Sequence, residues 1–155
     1  SEAPSHETIT IERSLKASNE QLFAAFEDPK ARAQWGPPSD DEAIEFIEND
    51  FREGSGDLHL CGEKGNLQYR VETRYYAINR PSRLIFTERI SKADTLLGMS
   101  LNSLSLIGRT RSTELVLTIQ FTSVAGSDFI SAVRSGWKIA LDNLAVRLEQ
   151  QGKNR

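Results

Sequence analysis

The strongest hydrophobic periodicity lies near the end of the chain. Between Ser127 and Gln150, Ile130, Val133, Trp137, Leu141, Leu144 and Leu148 recur every three or four residues, which places them on one face of a long helix. Ser127 offers an N-cap side chain, and Asp128 falls in the first turn, where a carboxylate complements the helix dipole. Burying these side chains contributes roughly 10–15 kcal/mol gross, an upper bound because the unfolded chain already hides some surface. Gly136 sits inside this helix at a cost of about 1 kcal/mol against alanine. Beside Trp137 it implies a close backbone approach or room for the indole; a tolerated surface glycine is the plain alternative.

Most of the remaining chain alternates with the period of a strand. From Thr8 to Leu15, Ile9, Ile11, Arg13 and Leu15 point one way and Thr8, Thr10, Glu12 and Ser14 the other. Ser18, with Gln21 three residues on, has the form of a capping box opening a short helix with the apolar face Leu22, Phe23 and Phe26. Asp28-Pro29 ends that helix and opens a second turn, which runs through Trp35 to the stop Gly36-Pro37-Pro38. Six strands follow, separated by turns at Gly54-Ser55-Gly56, Gly62 to Asn66, Asn79 to Ser82, Lys92 to Thr95 and Gly108 to Ser112. One long helix closing a strand-rich chain implies a sheet wrapped around that helix, with a cavity between them.

At 155 residues the chain has the size of one domain with a real core. We expect a single domain over residues 8–150, with residues 1–7 a flexible N-terminal segment and 151–155 a flexible tail. A net charge of −3 argues against non-specific nucleic-acid binding, which needs a basic stripe. The carboxylates crowded between Asp40 and Asp50 lack the alternating spacing and central glycine of a calcium loop, and read as a solvated rim. A single cysteine, Cys61, allows no internal disulfide and suits a reducing compartment. No apolar run has the length of a membrane span and no secretion signal is seen, so a cytoplasmic location is expected.

Four segments in this order resemble the helix-grip fold of the START and Bet v 1-like (SRPBCC) superfamily. Within it, they look like a bacterial activator of Hsp90 ATPase (Aha1) homologue domain. They are Ile11-Glu12-Arg13 with Leu15-Lys16-Ala17-Ser18; Glu20 to Pro29 through Trp35; Arg80 to Thr87; and Gly136-Trp137 with Leu141, Leu144 and Leu148. The resemblance covers about residues 8–150. It implies an α+β fold: a curved antiparallel sheet of about seven strands around a long C-terminal helix, with two short helices after the first strand. Gly54-Ser55-Gly56 stands where the family often has a double glycine, Arg80-Pro81 where it commonly has Pro-Pro, and Glu88 often where it has a large aromatic. The eukaryotic co-chaperone's separate Asn- and Trp-rich chaperone-engaging domain has no counterpart here, so little chaperone activity is expected from the family name.

Candidate chemistry follows from strand parity. Glu88 shares the face of Leu84 and Phe86, Asn102 that of Leu104 and Leu106, and Tyr75 that of Val71 and Thr73. Glu88, Asn102 and Tyr75 are therefore expected to form a small polar set in an apolar cavity, the usual layout of a ligand site. Trp35, Leu58, Leu60, Val71, Thr73, Phe86, Leu104, Trp137 and Leu141 are expected to complete its walls, although the two tryptophans read more readily as core aromatics. With Leu58 and Leu60 inward, His59 and Cys61 would face away. They are about 6.5 Å apart along the strand, too far for a nucleophile–base pair. The expectation is a binder or carrier of an apolar or amphipathic small molecule, with no cofactor, no metal and no catalytic set. A weak homodimer through the strand edges is also expected. The alternatives are a cyclase- or hydrolase-like cavity enzyme using Glu88 and Tyr75, and an Hsp90-related co-chaperone module.

Overall fold

The computed structural model describes residues 3–153. The chain runs β1 (Ser5–Leu15), α1 (Asn19–Glu27), α2 (Pro29–Trp35), β2 (Glu42–Asn49), β3 (Gly56–Glu63), β4 (Asn66–Asn79), β5 (Arg83–Lys92), β6 (Thr95–Gly108), β7 (Thr113–Ser123) and α3 (Ser127–Lys153). The strands form one seven-stranded sheet in the order β1-β7-β6-β5-β4-β3-β2, every neighbouring pair antiparallel. This is the α+β helix-grip fold expected from the sequence. Two boundaries reach further out than expected. Residues 5–7 pair with 121–123 and so belong to β1, and residues 151–153 continue α3. Of the two termini expected to be flexible, residues 1, 2, 154 and 155 lie outside the described residues.

Local chemistry sets the helices. The Ser18 capping box is formed in both directions, Ser18 Oγ accepting from Gln21 N at 3.1 Å and Gln21 Oε1 from Ser18 N at 2.9 Å. Asp28 caps α2 by accepting from Lys30 N at 2.9 Å, with Pro29 at the first helical position. Ser127 is already the first residue of α3 rather than its cap. Ile130, Leu141, Leu144 and Leu148 of α3 are buried, with Val133 and Trp137 packed against the same core. The rest of that core comes from the sheet, including Ile11, Leu84, Leu104, Leu117 and Ile119, and from the two short helices, including Leu22, Phe23 and Trp35. No described helix is long and apolar enough to cross a membrane.

The facing of β3 corrects the sequence reading. Asp57, His59 and Cys61 point inward; Leu58 and Leu60 point to the outer face. Cross-strand register explains this, because directly opposed residues of an antiparallel pair share a face. His59 lies opposite Val71 and Asp57 opposite Thr73, both inward, while Leu58 and Leu60 oppose Glu72 and Arg70. Long polar side chains of that kind cover apolar neighbours with their aliphatic stems.

Gly56 fixes where β3 starts. A Cβ there would sit 1.7 Å from the Thr73 carbonyl oxygen, so no side chain fits without displacing β4. Gly56→Ala is accordingly expected to destabilise the fold by about 1–3 kcal/mol, as overpacking does. Urea titration would check this, and an unchanged midpoint would show that the two strands have slack.

Candidate functional site

A pocket of about 190 Å³ lies between α2, the β2–β5 part of the sheet and the middle of α3. Its apolar wall comprises Trp35, Pro38, Ile44, Val71, Ile90, Val133, Trp137 and Ala140. Its polar groups are Arg32, His59 and Glu88. Gly136 also borders it, and a Cβ at Gly136 would meet nothing within 4 Å. The glycine thus leaves space in the pocket and does not mark a close backbone approach.

The capped first turn of α2 aims Arg32 and Trp35 at this space. Trp35 is pinned: its Nε1 donates to the Ala25 carbonyl at 3.1 Å, and its ring packs edge-on against Phe26 with centroids 5.0 Å apart. Arg32 donates from Nη1 to Asp57 Oδ2 at 2.9 Å and to Tyr75 Oη at 3.3 Å, while its guanidinium lies 4.8 Å from the Phe46 ring centroid. Asp57 has a fully buried side chain. Its Oδ2 also accepts from Tyr75 Oη at 2.5 Å and its Oδ1 from Asn49 Nδ2 at 2.6 Å. Asp57 and Arg32 therefore neutralise each other, and three donors converge on one carboxylate.

Glu88 differs in having no such partner. It is buried, borders the pocket and accepts no hydrogen bond from any described residue. Burial pushes its carboxyl up to about 7, with Arg32 opposing and Asp57 reinforcing the rise. His59 is driven the other way, to about 3, by burial and then by the Arg32 charge, so its imidazole is neutral. Its Nδ1 is buried and has no partner among the described residues. Burial, followed by Glu88 and Glu42, raises the Cys61 thiol to about 11. This makes it a poor nucleophile.

Of the residues expected at the site, Trp35, Val71, Glu88 and Trp137 meet around the pocket. Leu58 and Leu60 are on the other face of the sheet. Thr73 and Tyr75 are inward but outside the pocket wall, the Tyr75 hydroxyl held by Asp57 and its pKa raised chiefly by burial. Phe86, Leu104 and Leu141 belong to the core. Asn102 is fully buried, and neither amide atom has a partner among the described residues. The expected trio of Glu88, Asn102 and Tyr75 therefore does not assemble: Glu88 alone borders the pocket. Arg32, Asp57 and His59 were the polar residues missed as site components. The usable signal was the β3–β4 register, which ties Asp57 and His59 to the inward parity of Thr73 and Val71. Among the described residues no cluster of three His, Cys, Asp or Glu side chains could hold a metal.

Fold and pocket together define a helix-grip protein with an internal polar network beside a small cavity. The chain belongs to the activator of Hsp90 ATPase homolog 1-like family, whose model matches residues 16–149. Among solved structures, the Mll3558 protein from Rhizobium loti is similar, with 27% identity, TM-score 0.81, and coverage of 94% of this chain and 99% of that one. A putative uncharacterized protein from Rhizobium leguminosarum matches at 26% identity and TM-score 0.83, over 96% of this chain and 97% of that one. The CV1439 protein from Chromobacterium violaceum matches at 26% identity and TM-score 0.81, over 92% and 96%. No curated protein matches the chain.

Proposed function

We propose that this protein binds a small, mainly apolar molecule in the pocket between α2, the sheet and α3. The observation that carries this reading is the pocket itself: an apolar wall around a single buried carboxyl, Glu88, that no described side chain satisfies. A cavity of about 150 Å³ suffices for benzene. The 190 Å³ here suits a ligand built on one ring or a short branched chain. Trp35 and Trp137 are the only tryptophans in the chain and both border the pocket, so intrinsic emission reports on this site. A titration of ring-sized ligands followed by tryptophan emission, with native mass spectrometry for stoichiometry, tests the reading. Unchanged emission and no bound species across such a set would overturn it.

Gly136 supplies the control. Gly136→Leu should fill the pocket and abolish binding while the circular dichroism stays native. Gly136→Ala should keep binding and raise stability by up to about 1 kcal/mol, because helix interiors favour alanine. Retained binding in the leucine variant would place the ligand elsewhere.

The buried carboxyl also favours a second reading, acid–base catalysis on the bound molecule by a cyclase- or hydrolase-like enzyme. Glu88 would act without Tyr75, whose hydroxyl is committed to Asp57. Turnover of a ring-sized substrate analogue that vanishes in Glu88→Gln would support it; analogues that bind and persist unchanged would count against it. The edge strands β1 and β2 offer pairing surfaces for a weak homodimer, which sedimentation at rising concentration would detect.

A further inference from the structure

We propose that the pocket selects small organic cations, such as an ammonium or protonated heteroaromatic base on a ring-sized apolar body, with the positive charge set against Glu88. The inference rests on the reading that this pocket holds a ligand.

It follows from a charge count. Arg32 reaches the pocket from α2, but its charge is balanced by Asp57, whose oxygens already accept from Arg32, Tyr75 and Asn49. From β3 come the neutral His59 and the neutral thiol of Cys61, and from β4 the Tyr75 hydroxyl. Glu88 lies opposite Thr73 of β4 and Ser100 of β6, neither charged. From α3 the pocket receives Val133, Gly136, Trp137 and Ala140, again without charge. From β2 the pocket receives the uncharged Ile44, and Glu42 at the start of that strand accepts from Ser39 and acts on Cys61 rather than on Glu88. The groups facing Glu88 are thus neutral together when it is protonated and carry one excess negative charge when it is ionised.

A buried unpaired carboxylate is costly, and a ligand can relieve that cost in two ways. A neutral donor restores a hydrogen bond. A cation restores the hydrogen bond and the charge balance together, and the indoles of Trp35 and Trp137 add an environment that attracts cations. An anion would have to compete with Asp57 for Arg32, beside a carboxyl that repels it.

Three probes of one shape separate the cases: benzylamine, benzyl alcohol and benzoate, titrated against the intact protein by tryptophan emission and by amide chemical shifts. At pH 8 benzylamine should bind at least about tenfold more tightly than the other two, by charge pairing in a desolvated site. Its affinity should fall about tenfold between pH 8 and 6 as Glu88 takes up a proton, while that of benzyl alcohol stays nearly constant. Glu88→Gln should abolish the preference for the amine, so that benzylamine and benzyl alcohol then bind within about twofold of each other. Equal binding of amine and alcohol, or tightest binding of benzoate, would overturn the cation assignment and leave the ligand-pocket reading standing. No response to any probe would overturn both.

Discussion

Between pH 4.5 and 7, Glu88→Gln is expected to gain stability on the native chain by about 1.4 kcal/mol per pH unit. The folded carboxyl titrates near 7 and the unfolded one near 4.5, so within this window the native state binds the extra proton. Stability contributed by Glu88 is thus fully present below pH 4.5 and is lost as pH rises through the folded value. Glutamine has the same shape and never ionises, so it escapes the loss. His59 has the opposite sign. Its folded value is near 3 against 6.5 unfolded, so the unfolded state binds more protons and stability rises with pH across that range. The two slopes oppose each other between pH 4.5 and 6.5, and the native chain should show little net dependence there from this pair. Removing either residue unmasks the other: Glu88→Gln should grow steadily more stable up to pH 6.5, whereas His59→Leu should decline from pH 4.5 to 7. Urea midpoints at half-unit steps from pH 4 to 8 would read this out. Parallel curves for the native chain and Glu88→Gln would mean that the carboxyl is solvated in the folded state.

That two groups with opposed titrations sit beside one pocket was only half legible in the sequence. Glu88 could be placed inward because β5 has unambiguous parity, with Leu84 and Phe86 on the same face. The α3 stripe was legible for the same reason: a helix that buries one face writes its period into the chain. On β3 the apolar residues are on the wrong side. Leu58 and Leu60 suggest the core face, yet the inner face carries Asp57, His59 and Cys61 because the site there is polar. Parity taken from one strand fails where polar groups lie inside; parity taken from the neighbour, Val71 and Thr73, would have corrected it. Asn102 shows a different limit. Its inward parity was right, but whether an inward residue borders the pocket or lies in packed core depends on where α3 covers the sheet, which no local pattern records.

The second large effect concerns the anchor behind the pocket. Asp57→Ala is expected to cost about 3–5 kcal/mol, the range for removing one partner of a buried ion pair. The Arg32 side chain is only 13% exposed and that of Asp57 not at all, so the guanidinium left behind has little water to turn to. The Tyr75 hydroxyl and Asn49 amide lose their acceptor in the same step. That is a large share of a typical total of about 5–15 kcal/mol. The loss belongs to the stranded charge more than to the bond. Replacing both partners, Arg32→Met with Asp57→Leu, should therefore recover much of the stability. Tyr75→Phe should cost less, about 1.5–3 kcal/mol, the range for hydrogen bonds to charged groups, because its hydroxyl donates to Asp57 and accepts from Arg32. Urea unfolding of the native chain, Arg32→Met, Asp57→Leu and the double variant closes a cycle whose coupling term isolates the pair. Additive losses would mean that Arg32 finds another partner when Asp57 is gone. Glu88 borders the same pocket and its carboxyl already feels the Arg32 charge, so Arg32 turning toward it would remove the excess negative charge on which the proposed cation selection depends. Asp57→Ala protein stabilised by an osmolyte should then lose its preference for benzylamine even though Glu88 is intact. In the proposed function, anchor and selectivity are one electrostatic arrangement, in which Asp57 holds Arg32 and leaves Glu88 unpaired.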